Sequence, residues 1–234
     1  MKIYPINTGN FKLDGGAMHG VVPKSIWSRN NVPDDNNMCN WSMRCMLIED
    51  EDRLILIDTG IGVNQSEKIF SYYYLFGEDT LQKSIEALGF GMDQITDVIL
   101  THLHFDHCGG AIGMNSKTER YEPRFPNATF WSNEKHWKWA TEPNPREKAS
   151  FLKENIMPIQ ESGQLKFIDR VGDFTTNVFP NIDMFFMDGH TESQMLPVIS
   201  HKEKKIVFMA DLLPSVGHIP LPYVMGYDTR PLIT

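Results

Sequence analysis

The segment Thr101-His102-Leu103-His104-Phe105-Asp106-His107-Cys108-Gly109-Gly110 packs three of the chain's eight histidines and an aspartate into six consecutive residues. In extended backbone, residues two apart project to the same side, so His102 and His104 can grip one cation together. Asp106 and His107 follow where the chain turns toward a Gly-Gly loop, and they can face a neighbouring position. Imidazole suits zinc, iron or nickel, and a carboxylate holds a harder ion or bridges two. These donors exceed what one ion with an open position needs, and two adjacent divalent ions are the economical reading. Two further candidate ligands end apolar runs: His190 in Asp188-Gly189-His190-Thr191, and Asp211 in Ala210-Asp211-Leu212-Leu213-Pro214.

Such donors need elements to aim them. Met43–Glu49 and Arg53–Asp58 are β-prone runs separated by Asp50, Glu51 and Asp52, which predicts a hairpin. The second run leads into the glycine-punctuated loop Asp58-Thr59-Gly60-Ile61-Gly62. Ser66–Tyr74 and Thr80–Leu88 have helical spacing, with Gly89 as C-cap. Asp97–Leu100 predicts a short buried strand feeding directly into the histidine segment. A loop-rich stretch runs to about Pro126 and a strand follows at Ala128–Trp131. Helices are expected over Asn133–Trp139, with Asn133 or Ser132 as N-cap, and over Arg146–Ile159. Leu165–Ile168, Ile182–Phe186, Met195–Ser200 and Lys205–Met209 read as strands, the last two joined by the polar turn His201-Lys202-Glu203-Lys204. The pattern predicts one α/β domain with helices covering sheet faces and polar ligands on loops at one end.

Composition narrows the function classes. The chain has 234 residues, is 41% hydrophobic and carries a net charge of −8, the balance of a globular protein and not of a general phosphate-backbone binder. No nucleic-acid partner is expected. No stretch approaches the roughly 18 apolar residues of a membrane span, and the N-terminus lacks the pattern of a signal peptide. Three cysteines, Cys39, Cys45 and Cys108, are too few and too odd in number for a disulfide framework. A reducing, cytoplasmic setting is expected.

Taken together, Thr-His-Leu-His-Phe-Asp-His with Gly-Gly, the upstream Asp58-Thr59-Gly60, and the downstream Gly189-His190-Thr191 and Ala210-Asp211 resemble the metallo-β-lactamase fold superfamily. Phe11-Lys12-Leu13-Asp14-Gly15-Gly16-Ala17-Met18, Ala-Asp-Leu-Leu-Pro and His218-Ile219-Pro220-Leu221-Pro222 are similar to its N-acyl homoserine lactonase-like branch. The resemblance implies an αβ/βα sandwich of two mixed sheets flanked by helices, with a dinuclear site at one edge. It implies His102, His104 and His190 on a first metal, Asp106 and His107 on a second, Asp211 bridging both, and Asp58 supporting ligand histidines from behind. Zinc is the first choice of ion, with Fe, Mn, Co or Ni able to take its place. Two departures stand out. Glu192-Ser193-Gln194 replaces the Pro-Gly-His usual after Gly-His-Thr, and no further histidine beyond Asp211 matches the family's last ligand. The second site is therefore expected to be under-coordinated, and the domain over 1–234 to lack its C-terminal segment.

The chemistry expected of such a site is metal-dependent hydrolysis. Two cations sharing a water yield a hydroxide that attacks a carbonyl, while Asp106 or Asp211 steers the proton. A small lactone or ester is the leading substrate, with an acyl-homoserine lactone as best guess. Phosphodiester, thioester or β-lactam hydrolysis is the alternative within the class, and iron-dependent oxidoreduction is the alternative outside it. Among the other residues, His218 and His19 are candidates for the substrate pocket. His136 is expected as an exposed or half-buried helix residue, His201 as a turn residue and Cys108 as a small buried one. The run Tyr72-Tyr73-Tyr74 with Phe76 is expected to pack a helix, with a loop-borne aromatic lid as the other reading.

Overall fold

The computed structural model describes residues 1–234. In chain order the strands are β1 (Lys2–Asp14), β2 (Met38–Asp50), β3 (Arg53–Ile57), β4 (Asp97–Ile99), β5 (Ile112–Asn115), β6 (Arg120–Pro123), β7 (Thr129–Ser132), β8 (Leu165–Phe167), β9 (Phe174–Phe179), β10 (Ile182–Met187), β11 (Gln194–His201) and β12 (Lys204–Val207). The helices are α1 (Gly15–His19), α2 (Lys24–Trp27), α3 (Glu67–Ser71), α4 (Leu81–Glu86), α5 (Phe105–Cys108), α6 (Glu134–Thr141) and α7 (Lys153–Glu161). A mixed sheet runs β1-β2-β3-β4-β7-β8 and an antiparallel sheet runs β12-β11-β10-β9, with β5-β6 as a separate hairpin.

Strand β3 explains the layering. Leu54, Ile55, Leu56 and Ile57 are all buried, the continuous apolar run of a strand covered on both faces. Ile55 and Ile57, with Ile99, face the second sheet and pack on Ile182, Met184, Phe186, Met195 and Ile199. Leu54 and Leu56, with Val98 and Leu100, face the other way onto Leu81 and Ile85 of α4, Trp137 and Ala140 of α6, and Ile156 and Ile159 of α7. The α/β class and the sandwich are those expected, but the second sheet, expected to be mixed, is antiparallel throughout because short connections join each of its strands to the next. No helix is long and apolar enough to cross a membrane.

Most predicted elements form within a few residues of their expected bounds. Asn133 caps α6, its Oδ1 accepting from the His136 N–H at 2.9 Å. The predicted Arg146–Ile159 helix is shorter and begins at Lys153. Asn144 diverts the stretch before it, its Oδ1 accepting from the N–H groups of Arg146 and Glu147, a local bond that competes with helix. Strand β1 went unpredicted because its pairing with β2 shifts register between Asn7 and Asn10, around Gly9 at φ 117°, which breaks the two-residue alternation. Strand β9 carries a similar break at Asn177, φ 54°.

The Gly-Gly pair after the histidine segment is a packing requirement. A Cβ on Gly110 would lie 2.1 Å from the Thr59 carbonyl oxygen, and one on Gly109 would lie 2.2 Å from that of Ile61. The close approach lets Thr59 N–H donate to His107 O and Gly110 N–H donate to Gly60 O. Gly110→Ala is expected to cost about 1–3 kcal/mol, the usual range for overpacking, read as a lower urea midpoint at unchanged m-value.

Candidate metal centre

All six expected ligands arrive at one place. Strand β4 delivers His102 and His104, and α5 presents Asp106 and His107 in a single turn. His190 follows β10, and Asp211 lies in a short 3-10 turn, Ala210–Leu212, after β12. His102, His104 and His190 bring ligand atoms within 4.8 Å of one another, and so do His102, His107 and Asp211. His107 Nε2 stands 3.1 Å from Asp211 Oδ1 and 3.6 Å from Asp106 Oδ2. His190 Nε2 stands 3.1 Å from His104 Nδ1 and 3.4 Å from Asp211 Oδ2.

The outer nitrogens decide what these rings can do. Asp58 Oδ2 accepts from His107 Nδ1 at 2.8 Å, and the same carboxylate accepts from the backbone N–H and hydroxyl of Thr101. Thr101 Oγ1 lies 3.1 Å from His102 Nδ1 and, having given its own proton to Asp58, accepts there. Asp228 Oδ1 accepts from His190 Nδ1 at 2.9 Å, and Glu147 Oε1 faces His104 Nε2 at 3.4 Å. The outer nitrogens of His102, His107 and His190 bond to acceptors, His104 Nε2 makes no hydrogen bond, and His102 Nε2, His104 Nδ1, His107 Nε2 and His190 Nε2 point inward. His102 Nε2 is buried and has no hydrogen-bond partner, and His104 Nδ1 faces His190 Nε2 nitrogen to nitrogen. The orphaned His102 nitrogen and the N/O donor set around it fit a divalent transition metal.

Protonation divides the rings into two groups. Burial, reinforced by His107, His104 and His190, holds His102 well below the ordinary histidine range, and burial also lowers His104. For His107, burial opposes the charge, but Asp211, Asp106 and Asp58 outweigh it and raise the pKa well above normal. His190 is raised in the same way by Asp211 and Asp228 against burial. Burial works against the Asp211 carboxylate, yet His107 and His190 hold it below the usual carboxylate range. Glu147 is likewise brought down to about 2, its burial outweighed by His104 and Thr191.

A cavity of about 790 Å³ opens over the cluster, with Asp106, His107, His190 and Asp211 on its floor and Phe11, Trp41, Tyr73, Phe105, Phe208 and Tyr227 among its walls. His19 and His218, expected in the pocket, lie behind that wall. Their rings stack at 4.7 Å and 10°, and His19 also stacks on Trp27 at 5.1 Å. The His218 nitrogens are taken by Ser215 Oγ and the Met18 carbonyl, so stacking and hydrogen bonding draw the pair inward. His136, expected near the surface, is fully buried, and burial pushes its pKa down to about 4. Cys108 is buried as expected, its thiol donating to Leu103 O at 3.3 Å. His201 closes β11 at the turn with β12. The tyrosine run does not pack a helix: α3 ends at Ser71, Tyr72, Tyr74 and Phe76 are exposed, and only Tyr73 turns in, onto Phe105 at 4.8 Å. Glu147, Asp228 and Thr101 were missed as site residues because no spacing marks them.

Comparison with known proteins agrees with this architecture. Residues 44–232 match the model of the metallo-beta-lactamase superfamily. An N-acyl homoserine lactonase from Bacillus cereus is 23% identical over 218 residues, covering 89% of this chain and 74% of that protein. One from Bacillus thuringiensis is 25% identical over 201 residues, and the match spans 81% of this chain and 66% of the relative. Among solved structures, a probable metal-dependent hydrolase from Staphylococcus aureus superposes with TM-score 0.89 at 28% identity, covering 99% of this chain and 80% of that one. A dizinc quorum-quenching lactonase superposes with TM-score 0.76 at 20% identity, covering 99% and 79%. The fold and the cluster define a metallo-hydrolase, and the chain belongs to the metallo-beta-lactamase superfamily.

Two outcomes follow from the geometry. A cation taking the inner nitrogens of His107 and His190 displaces the protons that their raised pKa values retain, so metal affinity should climb as pH rises from about 6 to about 9. Calorimetric titration in buffers of different ionisation enthalpy checks this through the protons released, and a flat profile would exclude these two rings as ligands. Asp58→Asn should weaken metal binding roughly 10–100-fold by replacing the charged carboxylate behind His107 with a neutral amide that has one acceptor oxygen for three donors, measured as metal retained after dialysis against a chelator.

Proposed function

We propose that this chain hydrolyses a small lactone or ester with two divalent ions, zinc first among them, and that an acyl-homoserine lactone is its best candidate substrate. The observation that carries the reading is the convergence of four imidazoles and the Asp211 carboxylate, with Asp106 beside them, beneath a cavity of mixed polar and apolar lining. His102, His104 and His190 would hold the first ion, Asp106 and His107 the second, and Asp211 both. When bound, the ions supply Lewis-acid polarisation and water activation near neutral pH. The second position has the smaller donor set among residues 1–234 and is the weaker of the two. Three buried free cysteines support a reducing, cytoplasmic setting.

The chain's own groups provide the rest. Aromatic and methionine side chains of the wall cover an acyl chain and exclude water from the reacting carbonyl. Asp106 Oδ2 faces the cluster and can take the proton that attack releases, then return it to the departing alkoxide. Tyr227 lines the cavity with a phenol that burial pushes up to about 12, so it remains a donor for a substrate carbonyl. The names of the lactonase relatives support a lactone among the possible acyl compounds.

A parallel turnover screen on metal-quantified protein tests the reading, with lactones, aryl esters, phosphodiesters, thioesters and β-lactams, and with oxygen uptake recorded. Lactone or ester turnover is the expected result. Turnover of a different class alone, or oxygen consumption, would replace it. Asp106→Asn should lower kcat by about 10²–10⁴-fold while circular dichroism and urea midpoint stay near those of the parent, because the group lies at a sheet end outside the core.

A further inference from the structure

The ligand histidines come from two sheets, and something must set the distance between them. His102 and His104 follow β4 of the mixed sheet, whereas His190 follows β10 of the antiparallel sheet. The first turn of α6 spans the two ligand loops. Leu103, between His102 and His104, donates its backbone N–H to His136 Nε2 at 2.9 Å. The other ring nitrogen, Nδ1, lies 2.6 Å from the carbonyl oxygen of Glu192, two residues past His190. Asn133, the α6 N-cap, adds a parallel tie by donating from Nδ2 to Ser193 O at 2.8 Å.

This arrangement admits one form of the ring. An N–H aimed at Nε2 requires a bare nitrogen there, so the proton sits on Nδ1 and is donated to Glu192 O. A rigid ring with a donor on one edge and an acceptor on the other spans the gap at fixed length. His136 is fully buried, so no water replaces either bond. Its ring centroid lies 6.4 Å from that of His102, behind the cluster and not in it.

We propose that His136, as the neutral Nδ1–H tautomer, is a positioning residue for the metal centre: it locks the His102–His104 loop to the His190 loop and holds the three-histidine position in a binding geometry before any ion arrives. This rests on the metal reading of the cluster given above.

Two measurements on the full chain test it. Zinc affinity by competition with a chromophoric chelator, and the visible absorption of the cobalt-loaded protein, should separate His136→Leu from His136→Gln. Leucine removes both bonds and should weaken zinc binding roughly 10–100-fold with a changed cobalt spectrum. Glutamine offers an amide donor to Glu192 O and an amide oxygen to Leu103 N–H, and should restore most of the affinity and the parent's spectrum. Equal binding by the leucine variant and the parent would overturn the proposal, as would equal weakening in both variants. The second measurement needs no variant. Nitrogen NMR of histidine-labelled parent protein should show His136 protonated at Nδ1 and bare at Nε2, with and without zinc. The reverse tautomer would overturn the proposal even if His136→Leu fails to fold. A parent chain that binds neither zinc nor cobalt would sink the metal reading itself, whereas parental affinity in a folded His136→Leu variant sinks only the role of His136.

Discussion

The carboxylate of Asp58 is the interaction on which the site turns. It is buried, it sits at the end of β3 in left-handed backbone (φ 58°), and it accepts from Thr101 N–H, Thr101 Oγ1–H and His107 Nδ1–H. A non-glycine residue in that conformation is strained, and persists only where its surroundings over-determine it. Here three hydrogen bonds do so, and the strain aims one side chain at two ligand segments. Through Thr101 it fixes the direction of His102, and through His107 Nδ1 it fixes the second ring. A buried carboxylate without such donors would carry a desolvation penalty of several kcal/mol.

The same logic repeats around the cluster with other acceptors. Asp228 holds His190 and Glu147 lies beside His104, so both rings meet a carboxylate on the outer edge while the inner nitrogen turns to the cluster. Backbone constraint reinforces this at Ala210, whose φ of 41° lies immediately before Asp211. Burial and neighbouring imidazoles disfavour charge on His102, whereas adjacent carboxylates favour it on His107, which splits the histidines into low- and high-pKa groups. A buried nitrogen left without a partner, as at His102 Nε2, is costly by itself, and a cation held there would offset that cost.

Much of this was legible in the sequence, and what was not has a physical cause. His-x-His-x-Asp-His, His190 and Asp211 could be read as candidate ligands because spacing and position at strand ends mark them, whereas the place of Asp58 behind them came from the resemblance to the superfamily. The β2–β3 hairpin and the helical faces of α4 and α6 could be read because burial imposes periods of two and 3.6. Strand β1 could not, because a bulge at Gly9 flips the faces of a strand that otherwise alternates. Glu147, Asp228 and His136 could not because each acts on a segment far away in the chain. The His190–Asp228 bond spans 38 residues and the Leu103–His136 bond 33. The tertiary fold creates these partners, and no local pattern announces them.

The stretch after Asp211 shows how far that principle extends. Broken by Pro214, Pro220 and Pro222, it reads as irregular backbone, yet between Gly226 and Arg230 it is tied down repeatedly. Gly226 N–H donates to Ala17 O, Thr229 N–H to His190 O and Arg230 N–H to Gly189 O. Arg146 grips the Gly226 carbonyl from the opposite side, and Arg230 pairs with Glu192. Tyr227 thereby stands in the cavity wall while Asp228, the next residue, holds the His190 ring. One short segment shapes both the cavity wall and the orientation of a histidine in the cluster. Tyr227 and the acceptor of His190 Nδ1 are consecutive residues, so the cavity wall and the orientation of that ring rest on the same stretch of backbone.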